Sequence, residues 1–226
     1  MFKNRKDAGR KLAARLLQYR DEHPVVLALP RGGVPVAYEV AMALKAPLDV
    51  VVVRKLGAPG QPELGIGAVV GGDHPQSVLN EEVLRLLDVS DDYLNREVAL
   101  ELQEIRRRQE SYRSGRSSER IEGRTAIVID DGIATGGSVR AALRGLRRSN
   151  PMRLILAVPV APPETVESLQ PEVDELVCLS MPVFFHAVGQ FYEDFRQTTD
   201  EEVVQLLEAA REHMVSAEEQ RSGGDQ

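Results

Sequence analysis

Ala126-Ile-Val-Ile-Asp-Asp-Gly-Ile-Ala-Thr-Gly-Gly-Ser138 is the stretch whose reading decides the fold. Four apolar residues run into two adjacent carboxylates, Asp130 and Asp131, and a Gly- and hydroxyl-rich turn leads into a helical pattern that lasts to about Arg148. A short, continuously apolar run reads as a strand buried on both faces of a parallel sheet. The polar turn then sits at the carboxyl end of that strand, where open α/β sheets bind phosphorylated ligands against the N-terminus of the next helix. Gly132, Gly136 and Gly137 allow backbone N–H groups to converge on one anion, and Thr135 and Ser138 add hydroxyl donors. Asp130 and Asp131 would repel a phosphate. They suit vicinal hydroxyls, a divalent cation or a developing positive charge about one sugar's length away. The combination points to a sugar phosphate whose reacting centre gains positive charge; a plain structural turn is the competing reading.

Upstream, residues 25–29 form a second buried apolar strand that runs into Pro30-Arg31-Gly32-Gly33-Val34-Pro35. A helix over about 36–45 and an apolar strand over 48–53, ending in Arg54-Lys55, complete a βαβ unit. Before it, Ala8, Leu12, Ala13, Leu16 and Leu17 mark an amphipathic helix over 7–20, whose basic face reads as solvated. After it, residues 56–65 hold two prolines and three glycines and read as a mobile loop. Short strands are expected at 66–70 and 77–79, with Gly71-Gly72-Asp73 as the turn between them. Asn80 caps a helix to about 87, and Ser90 or Asp91 opens a longer one to about 113. Arg106, Arg107, Arg108 and Arg113 lie at the C-terminal end of that helix, where cations complement the helix dipole and where solvation is the plain reading.

Strands at 152–160 and 173–179 flank a helix that begins at Pro162-Pro163. Residues 182–195 are aromatic-rich and irregular, a final helix covers about 200–214, and the polar tail 216–226 is expected to be disordered. Strands alternating with helices give one α/β domain over 1–215, a doubly wound parallel sheet with a small loop-rich lobe over the strand ends.

Of 226 residues, 42% are hydrophobic and 28% charged, and the net charge of -7 argues against a broad nucleic-acid or anionic-membrane footprint. The lone cysteine, Cys178, excludes an internal disulfide and reads as a small buried hydrophobe. No apolar run approaches the ~18 residues of a membrane span, and the N-terminus lacks a signal-peptide core, so a cytoplasmic location is expected.

There is no G-x-x-x-x-G-K-[ST] motif, and the first βα turn lacks the dinucleotide G-x-G-x-x-G. The stretch from Val128 to Val139 instead resembles the phosphoribosyl-pyrophosphate signature of type I phosphoribosyltransferases. Leu29-Pro-Arg-Gly-Gly-Val-Pro35 resembles that family's pyrophosphate loop. Arg54-Lys55 with its Pro/Gly continuation resembles the start of its flexible catalytic loop. The resemblance covers about residues 25–160 in matching order.

It implies that Asp130 and Asp131 hold the ribose hydroxyls and stabilise an oxocarbenium-like transition state, while Gly132, Ile133, Ala134, Thr135, Gly136, Gly137 and Ser138 bind the 5′-phosphate. Arg31, Gly32 and Gly33 would contact pyrophosphate, and Arg54 and Lys55 would offset charge on the leaving group. Mg²⁺ would be held mainly by substrate oxygens. The 56–65 loop would close over the site and exclude water. Ala134 replaces the Asp that hypoxanthine–guanine-type members carry, which argues against 6-oxopurine specificity.

The acceptor, a nitrogenous base or similar small molecule, falls to the hood segment 182–195, where Phe184, Phe185, Phe191 and Tyr192 could stack and His186 could read a polar edge or take a proton. The helices at 80–113 are an insertion that could cap the site, form a dimer face of a homo-oligomer, or simply pack. Two rival readings stand beside the enzyme: a sensor of phosphoribosyl pyrophosphate or nucleotides, and a sugar-phosphate hydrolase, which lacks an evident nucleophile or metal-ligand cluster.

Overall fold

The structure, a computed structural model, describes residues 1–72 and 75–222. Helix α1 (Arg5–Leu16) opens the chain, with the Asn4 side chain accepting from the Asp7 amide at its N-cap. A 3₁₀ segment (Leu17–Glu22) follows and leads into strand β1 (Val25–Ala28). Helix α2 (Gly33–Leu44) and strand β2 (Leu48–Val50) complete the first βαβ unit.

The chain then leaves the main sheet. Strands β3 (Val53–Ala58), β4 (Gln61–Val70) and β5 (Gln76–Leu79) form a separate antiparallel sheet in the order β3-β4-β5. Helices α3 (Glu81–Leu86) and α4 (Asp91–Arg113) come next, each capped by the expected residue, Asn80 and Ser90. Strand β6 (Thr125–Ile129) returns to the main sheet, followed by α5 (Gly137–Arg147), β7 (Arg153–Val160), α6 (Pro163–Leu169), β8 (Glu175–Ser180), a short 3₁₀ turn (Val188–Phe191) and α7 (Asp200–Ser222).

The main sheet is parallel, in the order β2-β1-β6-β7-β8. Alternation along each strand divides the core in two. Ile127 and Ile129 of β6, with Val26 and Ala28 of β1, pack against α1, α2 and α7. Ala126 and Val128, with Val25 and Leu27, pack against α5 and α6. Both faces are buried, which is why these strands read as unbroken apolar runs. The sheet is doubly wound, and strand order reverses at β1. The turns after β1 and β6 therefore diverge at one switch point, and the crevice between them is where this architecture places ligands.

Residues 56–65 are not a loop. Ala58 pairs with Gln61, so Pro59-Gly60 makes a two-residue turn, with Gly60 in the left-handed region at φ 72°. The register shifts between Leu56 and Gly57 and again between Gly57 and Ala58, and Pro62 falls in the part of β4 that β5 does not pair. Proline and glycine are tolerated in a strand at such bulges and edge positions, so breaker composition here marks an irregular hairpin.

The basic end of α4 is not wholly solvated either. Arg113 is buried and its Nε donates to the buried Asp49 carboxylate of β2 at 2.9 Å. Helix α7 runs past the expected end at 214 to Ser222, while residues 223–226 of the expected tail, and Asp73 of the expected turn, lie outside the described residues. Among the described residues no helix is long and apolar enough to cross a membrane.

Candidate active site

Strand β6 delivers Asp130 and Asp131 to the crevice. The turn after β1 packs directly against them. A Cβ built on Gly33 would lie 2.7 Å from the Ile129 carbonyl oxygen and 3.0 Å from Asp130 Cα, and one on Gly32 would overlap Asp131 Oδ2. Only glycine permits this approach, so the 31–33 turn and the acid pair form one unit. The Pro30–Arg31 peptide within the turn is cis.

The loop from Gly132 to Gly136 is held from behind. The Ile133 amide donates to the Val160 carbonyl at 2.9 Å, and Thr165 Oγ1 donates to the Ala134 carbonyl at 2.6 Å. Gly136 adopts φ 78° as the residue preceding α5. Ala134, Thr135, Gly137 and Ser138 are exposed along the lip. The first-turn amides of α5 are those a helix leaves without intrahelical partners, and they carry the positive end of its dipole. The lip thus presents exposed backbone donors and the positive end of the α5 dipole toward the crevice.

Beside the lip opens a cleft of about 810 Å³, lined among others by Thr135, Ser138 and Arg140 on one side and Lys55, Gly67 and Asn80 on the other. The acid pair does not line it. Strand pleating separates the two cations of β3, since successive side chains point to opposite faces. Lys55 faces the cleft. Arg54 turns to α4 and pairs with Glu101, Nε to Oε2 at 2.7 Å, which holds its guanidinium more firmly protonated. Arg31 lies 3.8 Å from the Asp200 carboxylate at the start of α7. Asp200 also accepts from the Tyr112 hydroxyl of α4 at 2.5 Å, and burial followed by that bond pushes the phenol up to about 12. The expected insertion thus contacts two candidate site cations, Arg54 directly and Arg31 through Asp200.

Burial and the neighbouring Asp131 carboxylate push Asp130 well above the usual carboxylate range. Burial raises Asp131 as well, but the Arg5 guanidinium opposes that rise. Arg5 Nε lies 2.7 Å from Asp131 Oδ2. Nothing in the local sequence pointed to Arg5. It sits in a helix whose basic residues alternate with apolar ones, 126 positions from its partner.

The hood is built from both ends of the chain. The Phe2 amide donates to the Phe191 carbonyl at 2.8 Å, and the Glu193 amide donates to the Phe2 carbonyl at 2.9 Å. Tyr192 is buried between Phe2 and Phe195, with ring centroids at 5.3 and 5.0 Å. Its hydroxyl donates to the Asp131 carbonyl at 2.5 Å. Tyr192 is thus packed into a satellite core, closed to face-on stacking with a ligand. Phe185 and Phe191 are half-buried and pack on each other at 5.2 Å, whereas Phe184 and His186 are exposed. The Gln190 side chain bridges its own segment, accepting from the His186 amide and donating to the Phe184 carbonyl, both at 3.1 Å. Val188 packs on Gly132, where a Cβ would meet its Cγ1 at 2.5 Å.

Tyr192→Phe removes one buried hydrogen bond and leaves the Asp131 carbonyl without its donor. The expected loss is about 1 kcal/mol, a fall of about 2–4 °C in unfolding midpoint for a domain of this size, read by calorimetry.

A helix N-terminus, paired acids and a second glycine turn thus meet at the switch point of a doubly wound α/β domain. The chain belongs to the phosphoribosyl transferase domain family, whose model matches residues 2–196. It is 46% identical over 217 residues to the Mycobacterium tuberculosis protein named "Putative phosphoribosyl transferase Rv0571c". That match covers 96% of this chain and 48% of the relative, so the chain spans about half the length of the curated relative it matches. The crystal structure of the Thermus thermophilus protein TT1426 superposes with a TM-score of 0.79 at 47% identity, covering 92% of this chain and 97% of that one. A uracil phosphoribosyltransferase of Lactobacillus gasseri matches over 57 residues at 42% identity, 24% of this chain and 27% of its own.

Proposed function

We propose that this protein is a cytoplasmic enzyme that transfers the 5-phosphoribosyl group from phosphoribosyl pyrophosphate to a nitrogenous base or similar small acceptor, with release of pyrophosphate. The observation that carries this reading is the packing of the 31–33 turn on an acid pair that runs straight into the anion-receiving loop at 132–138. Two phosphate-binding ends with carboxylates between them match a ribose phosphorylated at C5 and C1.

The 5′-phosphate sits on the α5 amides and the Thr135 and Ser138 hydroxyls, and the ribose hydroxyls sit against Asp130 and Asp131. The pyrophosphate lies along 31–33, with Arg31 beside it. The acceptor nitrogen forms a bond to C1 as the C1–O bond to pyrophosphate breaks with inversion. The carboxylates stabilise positive charge developing on the ring. Ala134 has no proton chemistry, so the hood's exposed His186 is the group assigned to the acceptor's proton. Phe184, exposed beside it, is the hood aromatic open to stacking on a planar acceptor. Magnesium would supply counter-charge to the substrate's pyrophosphate and would be held mainly by the substrate. The described residues gather no cluster of three or more His, Cys, Asp or Glu around a metal position.

A second reading, a sensor of the same ligand without turnover, draws support from one feature. Arg31 and Arg54 both face carboxylates, Asp200 and Glu101, at 3.8 and 2.7 Å. A sensor needs the cradle more than it needs cations on a leaving group.

Titration calorimetry with phosphoribosyl pyrophosphate and Mg²⁺, followed by pyrophosphate release across purines, pyrimidines and small amines, separates the two. Acceptor-dependent release is the expected result. Tight binding with no turnover across the panel assigns the sensor, and no binding removes both readings.

A further inference from the structure

Tyr192 of the hood holds the Asp131 backbone carbonyl, and the group on the Asp131 side chain, Arg5, comes from helix α1. Besides its 2.7 Å contact with Asp131 Oδ2, Arg5 donates from Nη1 to the Arg196 carbonyl at 2.6 Å. Its Cζ lies 3.9 Å from the centre of the Phe195 ring. Its side chain is 11% exposed, so this is a largely desolvated guanidinium whose planar fork is used on two acceptors at once. The backbone on either side fixes it there. Residues 2 and 3 are hydrogen-bonded to residues 191, 193 and 194, and Asn4 caps the helix of which Arg5 is the first residue.

We propose that Arg5 is a positioning residue for the ribose site: it sets the orientation of the Asp131 carboxylate and makes the N-terminal segment and the hood working parts of sugar recognition. This inference rests on the assignment of Asp130 and Asp131 to ribose hydroxyls. Two adjacent buried carboxylates repel each other unless one is countered or holds a proton. Arg5 counters Asp131 at Oδ2, the same oxygen that packs against the turn at Gly32, where any side chain larger than glycine would overlap it. A single Arg held on two acceptors fixes an angle as well as a charge, whereas Lys supplies the charge alone.

Three variants test this by calorimetry with phosphoribosyl pyrophosphate and Mg²⁺, on protein whose folding is checked by circular dichroism. Arg5→Ala is expected to bind roughly 10–100-fold more weakly, the range seen when a group that orients a ligand-contacting residue is removed. Arg5→Lys is expected to recover part of that loss. Guanidinium at tens of millimolar, below denaturing levels, is expected to restore affinity to Arg5→Ala and leave wild type unchanged. Arg31→Ala is the comparison, since its affinity loss should not respond to guanidinium in the same way.

A residue that served stability alone would lower the unfolding midpoint without changing the affinity of the folded protein. Folded Arg5→Ala that binds as wild type does, or more tightly, overturns the proposal. Wild-type protein that binds no phosphoribosyl pyrophosphate overturns the ribose assignment and the role of Arg5 with it.

Discussion

Asp130→Asn and Asp131→Asn are each expected to lower turnover on the order of 10²–10³-fold, while their effects on the stability of the ligand-free protein differ. Under the proposed reaction, each change replaces a carboxylate set against developing positive charge with a neutral amide of the same shape. The stability effect follows from linkage. Burial and the facing Asp131 carboxylate raise Asp130 in the folded protein above its value in the unfolded chain. A folded state that holds the proton more tightly is most stable below the ordinary carboxylate range. It loses stability as pH rises from that range toward the raised value, because there the unfolded chain has already released its proton.

At neutral pH the wild type bears that penalty and Asp130→Asn does not. Asp130→Asn should therefore unfold at a higher temperature, by about 2–4 °C for each kcal/mol relieved, and the gain should vanish at pH values below the carboxylate range. Asp131→Asn should gain less, because the same change breaks the ion pair with Arg5, whose side chain is largely buried. Calorimetric scans of the two variants across pH read the order directly. An Asp131→Asn protein as stable as Asp130→Asn would contradict the role given to Arg5 in holding the pair.

Gly32→Ala is the second large effect. A Cβ there would overlap Asp131 Oδ2 and lie 2.7 Å from its Cγ. An exposed side chain would swing away, but this carboxylate is pinned by Arg5 and its backbone carbonyl by Tyr192. The strain must move either the 31–33 turn or the acid pair, and both are assigned to the same substrate. The expected cost is about 1–3 kcal/mol in stability, as for overpacking a rigid site. Affinity for phosphoribosyl pyrophosphate should fall on the order of 10²-fold, since displacements near 1 Å carry that effect in catalytic sites. Gly72→Ala is the control, because its Cβ would meet nothing within 4 Å. Equal affinity for Gly32→Ala and wild type would show that the turn does not shape the donor site.

The parts of this protein that were legible in the sequence are those in which the deciding residues are neighbours along the chain. Residues 25–28 and 125–129 announce a two-sided buried sheet because every residue in them must be apolar or small, whichever way it points. The loop at 132–138 is legible for a related reason. Its glycines and hydroxyls, and the acids before them, are contiguous along the chain, although Val160 and Thr165 hold it in place from behind. The segment 56–65 reads as a loop rather than part of a hairpin because proline and glycine report only that regular pairing is difficult. Whether the chain breaks or bulges depends on the partner strand, and Gly57 and Pro62 are accommodated by shifts of register against each other. Arg113 illustrates the same limit: helix-end position predicts solvation, and the pairing with Asp49 on β2, with a further bond to the Val50 carbonyl, makes its burial tolerable.

By itself, then, the sequence determined the alternation of buried strands and helices and the turn that follows β6, because local periodicity and contiguous turn chemistry specify them; the strand order, and with it the switch point, came from the fold. The tertiary structure alone decided where the charges around that turn lie. It sent Lys55 to the cleft and Arg54 to Glu101 by the alternation of one strand. It buried Tyr192 under the acid pair and brought Arg5 across 126 positions to Asp131. Electrostatic interactions act through space and weaken steeply with distance and solvent, so a charge has no defined role until folding has chosen its neighbours.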